Sequence, residues 1–201
     1  WQKDGFRLNL EALEQVVTPR TKALMLNYPS NPTGATFTRA DLEKLAEFVK
    51  RHDLIVLSDE IYAELTYEGQ HESLAALPGM KDHVVYISGL SKSHAMTGWR
   101  LGFLCAPAEL ATAMVKIHQY TMLCAPTLSQ FAAIEALEHG DEAVEEMRRE
   151  YKARRDLIVA GFNSLGMRTL TPGGAFYAFA SIEGLGFDSS EQFCMELLEA
   201  E

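Results

Sequence analysis

Two cations stand eight residues apart in a segment otherwise rich in small and hydroxyl residues. Lys92 lies in Ser88-Gly89-Leu90-Ser91-Lys92 and Arg100 in Thr97-Gly98-Trp99-Arg100-Leu101-Gly102. A lone lysine in a loop is usually a solvated charge. A lysine, an arginine fork, hydroxyls and backbone N–H groups together suit a phosphate. Upstream, Ser58-Asp59-Glu60-Ile61-Tyr62 follows the apolar run Leu54-Ile55-Val56-Leu57. A charge at the end of a buried strand is costly unless paired. Asp59 could cap the next helix, or it could pair with a cationic ring nitrogen, with the Tyr62 hydroxyl reaching the same ligand from three residues on. Further upstream comes Asn31-Pro32-Thr33-Gly34. Its residue types make a plain turn, or the Asn31 amide hydrogen-bonds a cofactor and a substrate.

The elements that must position these groups can be read from the apolar pattern. Lys22 to Asn27, Leu54 to Ser58, His83 to Ser88 and Leu101 to Ala106 are short apolar runs of buried-strand type. They alternate with helical periods, the pattern of an α/β sheet covered on both faces. Thr38 to Arg51 reads as a helix capped by Thr38, with Leu42, Leu45, Ala46 and Val49 at i, i+3, i+4 and i+7. The four candidate features follow strand runs, and open α/β sheets bind ligands at strand ends. Helical patterns dominate from Pro107 to Leu165. The segment Asp141 to Leu165 reads as one long charged helix with a stripe of Val144, Met147, Tyr151, Ile158 and Phe162. Its Glu142, Glu145, Glu146 and Glu150, interleaved with Arg148, Arg149, Arg154 and Arg155, read as a solvated face. Arg168 to Ala180 reads as strands joined by a Pro172-Gly173-Gly174 turn. The boundary between a sheet domain and a second domain falls near residue 140.

Composition narrows the function classes. The 201 residues carry 47% hydrophobic and 23% charged residues, as an ordinary globular protein does. The net charge of −10 argues against nucleic acid as a partner. No run approaches the roughly 18 apolar residues of a membrane span. The scattered cysteines, Cys105, Cys124 and Cys194, lack C-x-x-C spacing and read as buried free thiols in a reducing cytoplasm. The six histidines have no ligand spacing, so no metal site is expected; His94 reads as a packing residue. Both ends look cut, at Trp1 and inside an amphipathic helix running from Ser190 to Glu201.

Taken together, Asn31, Asp59, Tyr62, the block from Gly89 to Gly102 and Gly173-Gly174-Ala175-Phe176-Tyr177 resemble the class I aminotransferases, which use pyridoxal phosphate (PLP) and have fold type I. The stretch from Ser58 to Phe103 is most similar to the aromatic and acyl-diaminopimelate members of a bacterial branch that also holds aspartate aminotransferases. The resemblance implies a mostly parallel sheet with helices on both faces. Residues 1–140 would be the C-terminal part of the large domain, and residues 141–201 a linking helix and the start of a small α+β domain. It implies that Lys92 forms a Schiff base with PLP, that Asp59 keeps the ring nitrogen protonated, that Asn31 and Tyr62 bond the ring oxygen, and that Arg100 and Ser91 hold the phosphate, with Ser88 a weaker candidate. Gly89 departs from relatives that carry a phosphate-binding hydroxyl there. The resemblance also implies amino acid and 2-oxo acid substrates, a homodimer, a phosphate loop and ring stacker before Trp1, and a carboxylate-binding arginine beyond Glu201, so that this chain alone would be poorly active. A C–S lyase, or the PLP-sensing domain of a transcription regulator, would use the same residues.

Overall fold

The structure is a computed structural model that describes residues 4–200. Four strands form one sheet in the order β1 (Ala23–Asn27), β2 (Ile55–Asp59), β3 (Val84–Gly89) and β4 (Gly102–Cys105). The first two pairings are parallel and the last is antiparallel. The helices are α1 (Leu10–Val16), α2 (Arg39–Arg51), α3 (Leu90–Ser93), α4 (Ala108–Thr121), α5 (Thr127–His139), α6 (Asp141–Ser164) and α7 (Ser190–Ala200).

Side chains alternate across the sheet, and the register assigns each to a face. Leu24, Leu26, Val56, Ser58, Val84 and Tyr86 share one face, because Leu24 pairs with Val56 and Val56 with Val84. That face packs against Leu42, Leu45, Phe48 and Val49 of α2, with Leu10 and Leu13 of α1 at the margin. The expected Thr38 cap is present as a capping box: Thr38 Oγ1 accepts from the Asp41 N–H at 3.2 Å, and Asp41 Oδ2 accepts from the Thr38 N–H at 3.0 Å. The other face carries Met25, Asn27, Leu57, Asp59, Val85 and Ile87. It is only partly covered, and Met25 is 76% exposed.

Four expectations are corrected. Arg168 to Ala180 does not form paired strands; it makes two isolated bridges, Thr66 with Gly174 and Thr169 with Ala180. Its backbone groups instead pair with other turns: Gly173 and Gly174 donate to the Gly34 carbonyl at 2.9 and 3.1 Å, and Ala175 donates to Leu65 at 3.0 Å. The three cysteines are exposed, since they lie on β4, on α7 and in the α4–α5 turn, and β4, α4 and α7 bury no residue. The inner stripe of α6 is rotated, with Ile158 exposed and Val159 buried. Arg155 is not solvated. Its side chain is 7% exposed, donating to the Pro172 carbonyl at 3.0 Å and lying 5.0 Å from the Tyr67 ring centroid. The helix packs Met147 and Tyr151 against Tyr62, Leu65 and Ala175, and this draws Arg155 inward beside Tyr67.

Candidate active site

The parallel register sets the site. Asn27 pairs with Asp59 and Asp59 with Ile87, so β1, β2 and β3 end at one edge. Asn31 follows β1 by four residues, Asp59 ends β2, and Lys92 stands on α3 directly after β3. Strand alternation separates two adjacent acids. Asp59 shares the open face with Asn27, while Glu60 turns into the α2 side.

Asn27, which nothing in the motif singles out, ties the edge together. Its Nδ2 donates to the Asp59 carbonyl at 3.3 Å, and its Oδ1 accepts from the Asn31 N–H at 2.6 Å. The Asp59 carboxylate is half-buried and accepts only weakly from the Ile61 N–H, at 3.3 Å. This is the turn-capping contact that sequence allowed, on a side chain that still faces the site edge.

Tyr62 is buried, and its hydroxyl lies 2.6 Å from that of Tyr177. Burial raises its ionisation well above the ordinary tyrosine range, Tyr177 and the Asp59 charge raise it further, and the nearby Asn31 side chain partly offsets them. The hydroxyl therefore stays neutral. Phe176 bridges the two halves of the site. Its ring stands edge-on to Tyr62 at 5.3 Å, and the Lys92 Nζ lies 5.8 Å from its centroid.

On the far side of Lys92, Thr97 Oγ1 donates to the Ser91 carbonyl at 2.8 Å, and Arg100 donates to the Thr97 carbonyl at 2.9 Å. Arg100 is exposed and takes a left-handed conformation, φ +52°. Ser91, Thr97 and Arg100 thus form one stitched loop. The glycine at 89 has a steric cause. A Cβ there would sit 2.9 Å from the Gly102 Cα and 3.0 Å from the Leu101 carbonyl oxygen, where β3 meets β4. His94 packs as expected: its Nδ1 lies 2.8 Å from Ser93 Oγ, and its ring closes on Gly140.

Sequence reasoning passed over Glu60. It is fully buried and accepts from Ser58 Oγ at 2.7 Å, Ser73 Oγ at 3.0 Å and Tyr28 Oη at 3.1 Å, with His71 Nε2 at 2.6 Å. A buried carboxylate survives when its lone pairs are used in this way. The signal was available: two acids in succession at a strand end must part to opposite faces.

Among the described residues no group of three His, Cys, Asp or Glu is placed to hold a metal ion. No helix among the described residues is long and apolar enough to cross a membrane. The family model for aminotransferase class I and II matches residues 1–201. The chain is 55% identical over 197 residues to a provisionally named aminotransferase, YugH, of Bacillus subtilis, covering 98% of this chain and 51% of that protein. It is 46% identical over 194 residues to aromatic-amino-acid aminotransferase 2 of Thermococcus litoralis, covering 95% of this chain and 50% of the relative. Among solved structures it superposes on the aromatic aminotransferase of Pyrococcus horikoshii with a TM-score of 0.95 at 45% identity, covering 99% of this chain and 54% of that one. The aspartate aminotransferase of Thermus thermophilus with maleate gives 0.93 at 38%, covering 100% and 52%. The chain spans about half the length of the relatives it matches. The family is generally PLP-dependent. With motif, strand-end geometry, sequence and architecture in agreement, this chain belongs to the class I and II aminotransferases and has their fold type I architecture.

Proposed function

We propose that the full-length protein is a PLP-dependent aminotransferase that moves an amino group between an α-amino acid and a 2-oxo acid. One observation carries the reading. An amine, a carboxylate and a guanidinium (Lys92, Asp59 and Arg100) gather at one sheet edge, and none enters an ion pair among the described residues, although exposed charges elsewhere pair freely. The donor set fits the cofactor group by group. Lys92 offers an amine for an aldehyde, Asp59 a carboxylate for a pyridinium, Asn31 and Tyr62 polar hydrogens for a ring oxygen, and Arg100 with Ser91 a fork and a hydroxyl for a phosphate.

When bound, PLP supplies the aldehyde that Lys92 condenses with and an electron-poor ring that accepts the electron pair left when the substrate Cα loses its proton. The chain's own residues do the rest. Lys92, as a free amine beside the substrate, would be the base that takes and holds the Cα proton. Asp59 would favour the protonated form of the ring nitrogen through its negative charge. Tyr62, neutral because it is buried, remains a donor across the physiological range. Arg100 and Ser91 would hold the phosphate with a guanidinium fork and a hydroxyl. On this reading the chain divides near Gly140, between α5 and α6, and the intact protein is a homodimer. The uncovered apolar side chains of α4 and α5, among them Tyr120, Leu128 and Phe131, support a larger assembly.

The test is borohydride reduction of the full-length protein with PLP, followed by peptide mapping. A pyridoxyl adduct on Lys92 is expected; an adduct on any other lysine, or none, overturns the assignment. Release of ammonia and pyruvate without a 2-oxo acid acceptor would mark a lyase instead.

A further inference from the structure

Tyr177 lies 115 residues from Tyr62 in sequence, yet the two hydroxyls meet at 2.6 Å, and either atom could be the donor. The approach is built rather than incidental. The segment that delivers Tyr177 is fastened by the Gly173 and Gly174 N–H groups to the Gly34 carbonyl, by Ala175 N–H to Leu65, and by Tyr67 Oη to the Ala175 carbonyl. The two tyrosine rings meet nearly edge-on, with centroids 5.6 Å apart.

A phenol has one proton to give and two lone pairs to accept with. If Tyr62 gives its proton to a ligand, it has none for Tyr177, and the short contact survives only if Tyr177 becomes the donor. Donation into a hydroxyl strengthens that hydroxyl as a donor in turn.

We propose that Tyr177 is a positioning residue for the transamination site: its hydroxyl donates to Tyr62, fixing which way the Tyr62 proton points and strengthening the hydrogen bond that Tyr62 gives to the cofactor ring oxygen. The inference rests on the reading above, in which Tyr62 faces that oxygen. A donor to the ring oxygen drains its negative charge. Weakening that donor leaves more charge beside the nitrogen that joins Lys92 to the cofactor, so the nitrogen holds its proton to higher pH.

The experiment is a pH titration of the cofactor's visible absorption band in full-length wild type, Tyr177→Phe, Tyr62→Phe and the double variant. Thermal unfolding is run on each; Tyr177→Phe keeps the ring and its edge-on contact. The expected result is an upward shift of the midpoint in Tyr177→Phe by about half a pH unit, a roughly threefold change in the proton-binding constant. Tyr62→Phe shifts further in the same direction, and the double variant titrates as Tyr62→Phe alone. A wild-type midpoint in Tyr177→Phe beside a shifted Tyr62→Phe overturns the role of Tyr177, leaving it a packing residue. Unshifted midpoints in both single variants overturn it through Tyr62, which would then not face the ring oxygen. Absence of any visible band on adding PLP would sink the functional reading itself, and the inference with it.

Discussion

Asp59 shows how one residue can satisfy two demands. Its carboxylate accepts a long bond from the Ile61 N–H and still has lone pairs toward the site edge. If the site works as proposed, Asp59→Ala lets the ring nitrogen deprotonate. Turnover should then fall at least ~100-fold, about 2.7 kcal/mol of transition-state stabilisation, with little change in the unfolding midpoint. A steady-state assay beside urea denaturation checks both. Near wild-type turnover would leave Asp59 a turn cap. At this scale the sequence pointed to the candidate groups that the fold gathers at one sheet edge, because lysine, aspartate and arginine announce their chemistry by type. It disclosed none of their connectors. Asn27, Thr97 and Tyr177 act through hydrogen bonds to backbone or to another side chain, which depend on where distant segments land. Arg155 read as a surface charge for the same reason: only packing onto Tyr67 and Pro172 buries it.

Among elements, the turn after β1 and the Pro172-Gly173-Gly174 turn behave as one unit. Gly34 has φ +67°, and a Cβ on it would lie 2.3 Å from the Pro172 Cβ. Gly34→Ala should therefore destabilise by about 1–3 kcal/mol and loosen the Tyr62–Tyr177 contact. Gly161 offers the opposite sign. It is exposed near the end of α6, and a Cβ there meets nothing within 4 Å. Gly161→Ala should stabilise by about 0.5 kcal/mol, since glycine costs a helix backbone entropy. Urea midpoints of the two variants test the pair. Apolar runs and the Thr38 cap made β1, α2, β2 and β3 readable, since each is dictated by local pattern. Residues 168–180 misled because glycine, proline and alternating apolar residues also suit a turn whose partners lie in other turns.

For the whole molecule, burial of phenols predicts behaviour in alkali. Burial raises Tyr67 to about 12, the nearby Tyr151 adding to it and the Arg155 charge opposing it; Tyr28, buried beside the Glu60 carboxylate, and Tyr62 lie higher still. An unfolded tyrosine ionises near about 10. Below that value both states are neutral and stability is unaffected. Above it the unfolded chain releases protons that the folded chain keeps, so stability falls as pH rises from about 10 toward 12. Denaturation midpoints across that window should decline, and Tyr67→Phe should flatten the decline; a profile indifferent to Tyr67→Phe would count against the shift. The parallel register also bears on which length changes the protein can tolerate. An extra residue beside the exposed Lys81-Asp82 turn is absorbed without moving any strand. An extra residue between Ile55 and Asp59 rotates everything after it by one face. Asp59 would then enter the slot occupied by Glu60, against Tyr28 and Ser73, and Glu60 would emerge at the site edge on a longer arm. Such an insertion swaps the faces of two acids and leaves a serine where Asp59 stood, with composition and charge nearly untouched. Natural gaps among homologues should accordingly cluster in the exposed turns and spare the three parallel strands, and an engineered single-residue insertion in β2 should abolish cofactor binding where one at Lys81 does not.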